Sequence, residues 1–98
     1  MGFSYKMHVS GDHRVLAIAD SDVLGMVFEE GELFMEVGKN FYGGEECSED
    51  QARELAAEAT IINAVGKKIV KLLSDDGMVD KSMILEIGGV HHAQVIRI

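Results

Sequence analysis

The longest stretch with one clear hydrophobic period covers residues 48–74. Apolar residues recur at steps of three and four across residues 52–73, which places them on one side of a helix. Ser48 and Gln51 have the spacing of a capping box, and Gly77 suits the left-handed turn that ends a helix. The pattern predicts a long helix with one broad buried face.

Two features of this stretch argue against a single straight rod. Residues 60–62 are a β-branched run, and Gly66 costs about 1 kcal/mol relative to alanine inside a helix. We therefore expect one bent helix, or two consecutive helices that meet near residues 59–60. In either case Lys67 and Lys68 should lie toward the negative end of the helix dipole. Gly66 should allow another backbone to approach closely or, alternatively, act as a hinge.

Alternation of apolar and polar residues predicts an N-terminal hairpin, a third strand and two C-terminal strands. The second hairpin strand is almost continuously apolar, so it should be covered on both faces. Before the third strand, residues 23–27 are expected to form one helical turn and residues 29–31 a reverse turn. The predicted strands are residues 3–9, 15–19, 33–37, 83–87 and 95–98, with a hairpin turn at 10–13 and an opening segment at 91–94.

Strands on both sides of a helical block predict an α+β fold. A chain of 98 residues has room for one domain and one core, so residues 1–98 are expected to form a single domain. We predict a mixed sheet of about five strands (the hairpin, the third strand and the two C-terminal strands). One long bent helix or two consecutive helices should pack against it.

Composition argues against several classes of protein. No run of about 18 apolar residues exists, so no membrane-spanning segment is expected, and the N-terminus lacks the pattern of a secretory signal. Cys47 is the single cysteine, which leaves no internal disulfide and fits a reducing cytosol. Four acidic neighbours oppose its thiolate, so no activated thiol is expected.

The net charge of −8 is unevenly distributed along the chain. Ten acidic residues, opposed only by Lys39 and Arg53, lie within residues 29–58, so this segment alone carries −8. A protein that binds duplex nucleic acid usually has a basic footprint, and none is present here. The acidic segment is interpreted as a solvated surface, as a face for a basic partner such as a lysine-rich protein, or as a cation site.

Two glycine-rich loops are the best candidates for a functional site. In the first, Phe41 and Tyr42 precede Gly43 and Gly44. Adjacent aromatic side chains in such a loop either pack down on the core or stack on a ligand or base. The glycines permit a positive φ or a close approach by a partner.

The second loop joins a glycine pair at residues 88–89 to two histidines. Neighbouring strand residues point to opposite faces, so His91 and His92 enter one site only where the backbone is irregular. Cys47 with either histidine lacks the usual spacing of zinc ligands, so no metal and no cofactor are expected. A hydrogen-bonded structural role is favoured for His92 and Gln94.

No catalytic set of nucleophile, base and acid can be assembled from this sequence. Ser48 is explained as a helix cap, and the segment around Gly43 and Gly44 lacks the phosphate-loop pattern. Asn63 lies one turn from Gly66 in the predicted helix and is a candidate to brace one of the loops. The sequence therefore leans against an enzyme and assigns no catalytic residue.

Three motifs occur in the order found in one family. They are residues 41–44 (FYGG), residues 58–60 (EAT) with Asn63 and residues 65–66 (VG), and residues 88–90 (GGV) with residues 92–94 (HAQ). Together they resemble the small archaeal proteins grouped as domain of unknown function 424, over nearly the whole chain. That family favours proline at the position of His91, so His92 is the histidine that matches the family's motif. The resemblance implies an archaeal cytosolic protein with one α/β-type domain, and it implies no activity.

We consider three functional hypotheses. The first is a non-enzymatic binding module, monomeric or homodimeric, that acts through a protein or ribonucleoprotein partner. The alternative is a small-ligand or enzymatic domain with a pocket between residues 42–44 and 88–94, floored by Asn63. A third is self-association through the apolar strand at residues 95–98. The predicted ligand- or partner-binding residues are Tyr42, Gly43, Gly44, Asn63, Gly88, Gly89, His92 and Gln94.

Overall fold

A computed structural model describes residues 2–97 of the chain as eight strands and three α-helices. Single turns of 3-10 helix occupy Ser21–Val23 and Lys81–Met83. In chain order the elements are β1 (Phe3–Ser10), β2 (His13–Asp20), β3 (Val27–Glu30), β4 (Leu33–Glu36), α1 (Lys39–Tyr42), β5 (Glu45–Cys47), α2 (Glu49–Glu58), β6 (Ile61–Val65), α3 (Lys67–Asp75), β7 (Leu85–Ile87) and β8 (Val90–Ile96).

Six of the strands form one mixed sheet, which confirms the predicted α+β class. Their order is β5-β1-β2-β6-β8-β7, and only the central pair β2–β6 is parallel. The hairpin β1–β2 has the predicted turn, with Ser10 opposite His13. The remaining strands, β3 and β4, form a separate two-stranded sheet that we call the ribbon.

The prediction of one bent helix or two consecutive helices over residues 48–74 is wrong in the middle, because β6 separates α2 from α3. The start is as predicted: Ser48 accepts a hydrogen bond from the Gln51 amide, and the two residues form a capping box. The break also falls where expected, since α2 ends at Glu58 and Ala59 is extended. The chain then enters the centre of the sheet instead of a second helix.

The apolar sequence of β6 explains why its pattern predicts a helix. Ile62 and Ala64 lie under the helices, whereas Asn63 and Val65 lie on the other side of the sheet, where Val65 is buried and Asn63 is half-buried. The spacing of its apolar residues also fits a helical stripe. The β-branched residues at 61–62 were the sequence signal that favoured a strand.

Asp20 and Gly66 determine where α3 begins. The Asp20 carboxylate, at the end of β2, accepts hydrogen bonds from the amides of Lys68 (3.0 Å) and Ile69 (2.9 Å). Gly66 has φ +125°, and a Cβ on it would overlap that carboxyl group. The close approach at Gly66 is therefore made by a side chain and not by a backbone. Lys67 and Lys68 lie in the first turn of α3, at the positive end of the dipole, contrary to the prediction.

The predicted third strand belongs to the ribbon and not to the six-stranded sheet. β4 pairs with β3, which occupies residues that had been assigned to a helical turn and a reverse turn. The actual reverse turn lies at residues 31–32, between Glu30 and Leu33. Alternation of apolar and polar residues predicts a strand but not the strand that it pairs with. The sequence therefore does not predict a separate ribbon.

The other boundaries differ from the predictions in smaller ways. The first glycine-rich loop contains the single turn α1, and the short edge strand β5 follows it. β7 is shorter than predicted because residues 81–83 form a 3-10 turn. β8 begins at Val90, and the last residue of the predicted strand, Ile98, lies outside the described residues.

The sheet has two different faces. On the first, which we call the helical face, α2 and α3 pack on side chains such as Leu16, Ile18 and Ile62. On the second face, Val37 and Tyr42 pack over small residues of β2 and over Val65 and Val90. Phe28 and Met35 of the ribbon join that second cluster. Within residues 2–97, no helix has the length and apolar content needed to cross a membrane.

Candidate functional site

The two glycine-rich loops lie at opposite edges of the six-stranded sheet. Gly43 and Gly44 precede the edge strand β5 and line a hollow of about 440 Å³ beside β1. Gly88 and Gly89 form the β7–β8 turn at the other edge, where Gly89 lines a separate hollow of about 310 Å³. The geometry does not join the two loops into one pocket floored by Asn63.

The two aromatic residues of the first loop differ in their surroundings, because one packs on the core and the other stays exposed. Tyr42 is buried among Ala17, Val37 and Val65, and burial raises the pKa of its hydroxyl. Phe41 stays 39% exposed and stacks on His8, with 4.7 Å between ring centroids. His8 Nε2 also lies 3.0 Å from the Phe41 carbonyl oxygen. Phe41, and not Tyr42, is therefore the exposed aromatic ring of the first loop.

Chain packing accounts for one glycine of each pair, Gly43 and Gly88, without a ligand. A Cβ on Gly43 would lie 2.6 Å from the carbonyl oxygen of Lys39, the first residue of α1. A Cβ on Gly88 would lie 2.8 Å from the Glu29 carbonyl oxygen, and the Gly88 amide donates to Glu30 Oε1 at 3.0 Å. The second glycine pair thus lets the β7–β8 turn approach the ribbon.

The two histidines point to opposite faces, as strand geometry predicts. His91 lies opposite Glu86 and lines a hollow of about 520 Å³ beside α3. His92 lies opposite Leu85 on the second face and is half-buried, and burial lowers the pKa of its imidazole. With Gln94 it lines a shallow hollow of about 380 Å³ that also includes three apolar side chains, Met83, Leu85 and Ile96.

Three predicted site residues come together on the second face of the sheet. Asn63 and Gln94 are cross-strand partners in β6 and β8, and His92 lines the same hollow as Gln94. Within residues 2–97 neither side-chain amide makes a hydrogen bond, so Asn63 does not brace either loop. Two side-chain amides without a protein partner on one sheet face can bind other polar groups.

A row of side chains beside this pair was missed in the sequence. His8, Val15, Ile61 and Ile96 occupy equivalent positions on four adjacent strands, because each lies opposite the next in the sheet register. The first three are half-buried, and Ile96 is 57% exposed. We call this row, together with Asn63 and Gln94, the open half of the second face. The parallel pairing of β2 with β6 creates the open half, and no local sequence pattern predicts that pairing.

Large exposed apolar side chains collect on the same side of the molecule. Among the described residues nine are exposed, and Val9 alone belongs to the helical face, near the β1–β2 turn. The other eight lie on the ribbon and its base or around the open half. They are Met26, Val27, Leu33, Phe34, Phe41, Met83, Leu85 and Ile96.

Comparison with known proteins places the chain in a family. A family model described as protein of unknown function DUF424 matches residues 8–98. The chain belongs to the DUF424 family. This confirms the resemblance carried by the three motifs. No curated protein matches the chain.

A solved structure supports the same relationship. The crystal structure of an uncharacterized conserved protein from Methanopyrus kandleri is similar to this DUF424 chain, with a TM-score of 0.78 and 29% sequence identity. The match covers 100% of this chain and 96% of that one. The two proteins therefore share the whole fold.

The acidic residues of this DUF424 protein's segment 29–58 lie on the ribbon, on β5 and on α2. On α2, Arg53 pairs with Asp50 (3.2 Å) and with Asp76 beyond α3 (3.0 Å), and Arg14 pairs with Glu58 (3.4 Å). On the ribbon, none of the glutamates forms an ion pair with any residue from 2 to 97. The ribbon glutamates are Glu29, Glu30, Glu32 and Glu36.

Cys47 does not lie near the histidines of this DUF424 protein. It is buried in β5 at one sheet edge, whereas His91 and His92 are in β8 toward the other. Burial raises the pKa of the Cys47 thiol, which disfavours the thiolate. Across the described part of the chain, no three metal-ligating side chains gather closely enough to hold an ion.

Proposed function

We propose that this DUF424 protein is a non-enzymatic binding module. It receives a basic protein, free or within a ribonucleoprotein, on the second face of its sheet. The observation that carries the proposal is the uneven placement of exposed apolar side chains. Eight of the nine lie on that face and the ribbon above it, whereas α2 and α3 cover the helical face. Apolar side chains gathered on one surface of a folded chain are typical of a protein-binding site.

The polar groups around these side chains supply specificity. Asn63 and Gln94 offer two amides side by side, and Phe41 presents an exposed ring supported by His8. Protein interfaces commonly combine aromatic anchors with a few hydrogen bonds and a polar rim. A partner that lies across the open half would contact all three exposed groups.

Charge selects the class of partner. The ribbon carries four glutamates that have no ion-pair partner in residues 2–97, beside the exposed Leu33 and Phe34. Such a surface repels nucleic-acid phosphates and attracts lysine- and arginine-rich protein segments. A cytosolic location is part of this proposal, supported by the single cysteine, which is free and buried.

The proposal is tested by affinity capture from native extract with four immobilised baits. These are the wild type, Phe34→Asp on the ribbon, Ile96→Asp on the open half, and Val9→Asp as the matched control. Val9 is 67% exposed but lies on the other face. Basic proteins should be retained by the wild type and by Val9→Asp and lost from the other two, with less retained at higher salt.

Circular dichroism would first establish that all four baits are folded. If the wild type retains nothing above background at low and moderate salt, the proposal is wrong. It is also wrong if all four baits retain the same proteins equally, because the second face would then have no part in binding.

A further inference from the structure

We propose that the partner adds an extended, basic segment to the free edge of β4, as a third strand of the ribbon. This inference deepens the proposed function and rests on it, because it names how the basic partner is held. It depends on three observations: β4 has an unpaired backbone edge, the opposite edge of the ribbon is closed, and the charge of the ribbon excludes a second copy of this chain.

The register of the ribbon shows which backbone groups are free. The Val37 amide donates to the Met26 carbonyl at 2.9 Å, at the base of the ribbon. Hydrogen-bonded and non-bonded pairs alternate in an antiparallel ladder, so Phe34 and Glu36 occupy non-bonded positions. Their amides and carbonyls therefore point away from β3, and no backbone partner for them exists among residues 2–97 outside the ladder.

The other edge of the ribbon is occupied by the β7–β8 turn. Gly88 lies against the backbone of Glu29, where a Cβ would come within 2.8 Å of the carbonyl oxygen and 3.0 Å of the nitrogen. Its amide is also bonded to the Glu30 side chain. A new strand cannot enter there without displacing this turn. Only the β4 edge remains open to an incoming chain.

The side chains of β4 would hold an added strand on both of its faces. Phe34 is 62% exposed and shares the outer face with Glu36, whereas Leu33 and Met35 face the sheet. An added strand places alternate residues on the same two faces. Lysine or arginine on the outer face would meet the Phe34 ring and the Glu36 carboxylate. Apolar residues on the inner face would pack beside Leu33 and Met35.

Charge decides between a partner and a second copy of the chain. Residues 26–37 contain four glutamates and no lysine or arginine, and the nearest base is Lys39, which packs against Gly25. Pairing two β4 edges would bring both sets of glutamates together, and like charges on adjacent strands are destabilising. A segment that alternates basic and apolar residues has the opposite charge and the two-residue period of a strand. Such a segment is therefore the partner that fits the β4 edge.

The test uses three synthetic peptides of about ten residues that alternate lysine and valine. One is unmodified, one is N-methylated at its lysine amides and one at its valine amides. In an added strand, only one of these two sets of amides faces β4. The unmodified peptide should bind, and amide resonances of residues 33–36 should shift most. One methylated peptide should bind about tenfold more weakly while the other binds normally.

A pair of protein variants tests the same hydrogen bond from the other side. Phe34→Ala removes the ring and keeps the amide, whereas Phe34→Pro also removes the amide that points outward. Proline is tolerated on an edge strand when its nitrogen faces away from the ladder. Phe34→Pro should bind the peptide about tenfold more weakly than Phe34→Ala. Unchanged amide resonances of β1, β2 and β6 would confirm that the sheet of the variant is intact. If these resonances change, strand addition is tested by the methylated peptides alone.

Several results would overturn strand addition. Equal binding of both methylated peptides would show that side chains alone hold the segment. Resonance shifts centred on Ile61 and Ile96 would place the segment on the open half, and concentration-dependent dimerisation through residues 33–36 would make a second copy the occupant. Absence of binding at millimolar peptide would also exclude it. The proposed function is tested separately by capture from extract. If Phe34→Asp and Ile96→Asp lose the captured proteins, the proposed function is supported even when the peptide does not bind.

Discussion

The helical face of the sheet and its second face differ in how completely they are covered. Under α2 and α3, side chains such as Leu16, Ile62 and Ile69 are fully buried in one continuous cluster. On the second face, Tyr42 and Val37 cover only the end of the sheet where β2 and β6 finish. The other end exposes the row from His8 to Ile96. The first face therefore contains most of the core, and part of the second face stays exposed to solvent.

Replacing one isoleucine on each face should give the largest contrast. Ile69→Ala empties a fully buried site on the helical face and should cost about 4 kcal/mol of unfolding free energy. Ile96→Ala, at a 57% exposed site on the open half, should cost about 0.5 kcal/mol. Urea unfolding measures both values. Similar losses for the two variants would mean that the faces do not differ in the way described.

The glycine that begins α3 provides the next contrast. Gly66→Ala must adopt a φ near +125° and displace the Asp20 carboxylate, so it should lose about 3 kcal/mol. Gly77→Ala has a φ of +78° but open space around its Cβ, and should lose about 1 kcal/mol. The difference between the two losses of stability measures the contact between Gly66 and Asp20. Thermal unfolding provides the test, and equal decreases in Tm for the two variants would contradict the importance of this contact.

Asp20 should make stability depend on pH. Asp20→Asn removes the titrating carboxyl and therefore provides the reference for that dependence. Burial raises the pKa of Asp20 above its ordinary value of 3.8, although its two amide hydrogen bonds lower the pKa. The folded protein therefore binds this proton more tightly than the unfolded chain does. The contribution of Asp20 is complete below the unfolded-chain pKa and declines as pH rises through the folded pKa.

Urea unfolding of wild type and Asp20→Asn over a pH series checks the sign. The advantage of the wild type should be greatest in acid and shrink with rising pH. An advantage that grows with pH would show that the two amide hydrogen bonds outweigh the cost of burying the carboxylate.

The smallest expected effect concerns the outer surface of the helical side. Arg53→Ala removes the exposed ion pairs to Asp50 and Asp76, and should cost about 0.5 kcal/mol at low salt. Added salt should reduce this difference, because it screens exposed pairs. Thermal unfolding at two ionic strengths provides the test. A loss that salt leaves unchanged would indicate that Arg53 contributes mainly through packing.

Local pattern was sufficient to predict part of this architecture. The alternation in β1, the apolar run in β2 and the capping box at Ser48 each describe contacts within a few residues, and each prediction was confirmed. The fold class followed from their order. The two glycine-rich segments were predicted as loops, but residues 39–42 form α1 and residues 90–94 belong to β8. Gly43 and Gly88 serve chain packing at Lys39 and Glu29, which only the folded structure shows.

The errors share one cause, which is pairing between distant residues. β6 has a sequence that fits a helix, and only its place between β2 and β8 makes it a strand. Nothing near β4 indicates that its neighbour is β3 rather than the main sheet. The open half exists because Val15 meets Ile61 and Ile61 meets Ile96 across long stretches of chain. The candidate surface was therefore not visible in any one motif, although Asn63 and Gln94 were singled out.

Hydrogen exchange of the protein with and without a captured basic partner tests the central claim most directly. Bound partner should slow exchange at the amides of Phe34 and Glu36 on the β4 edge and at the open half, and leave the outer surfaces of α2 and α3 unchanged. Protection confined to α2 and α3, with free exchange at β4, would show that the partner binds the helical side and would contradict this account.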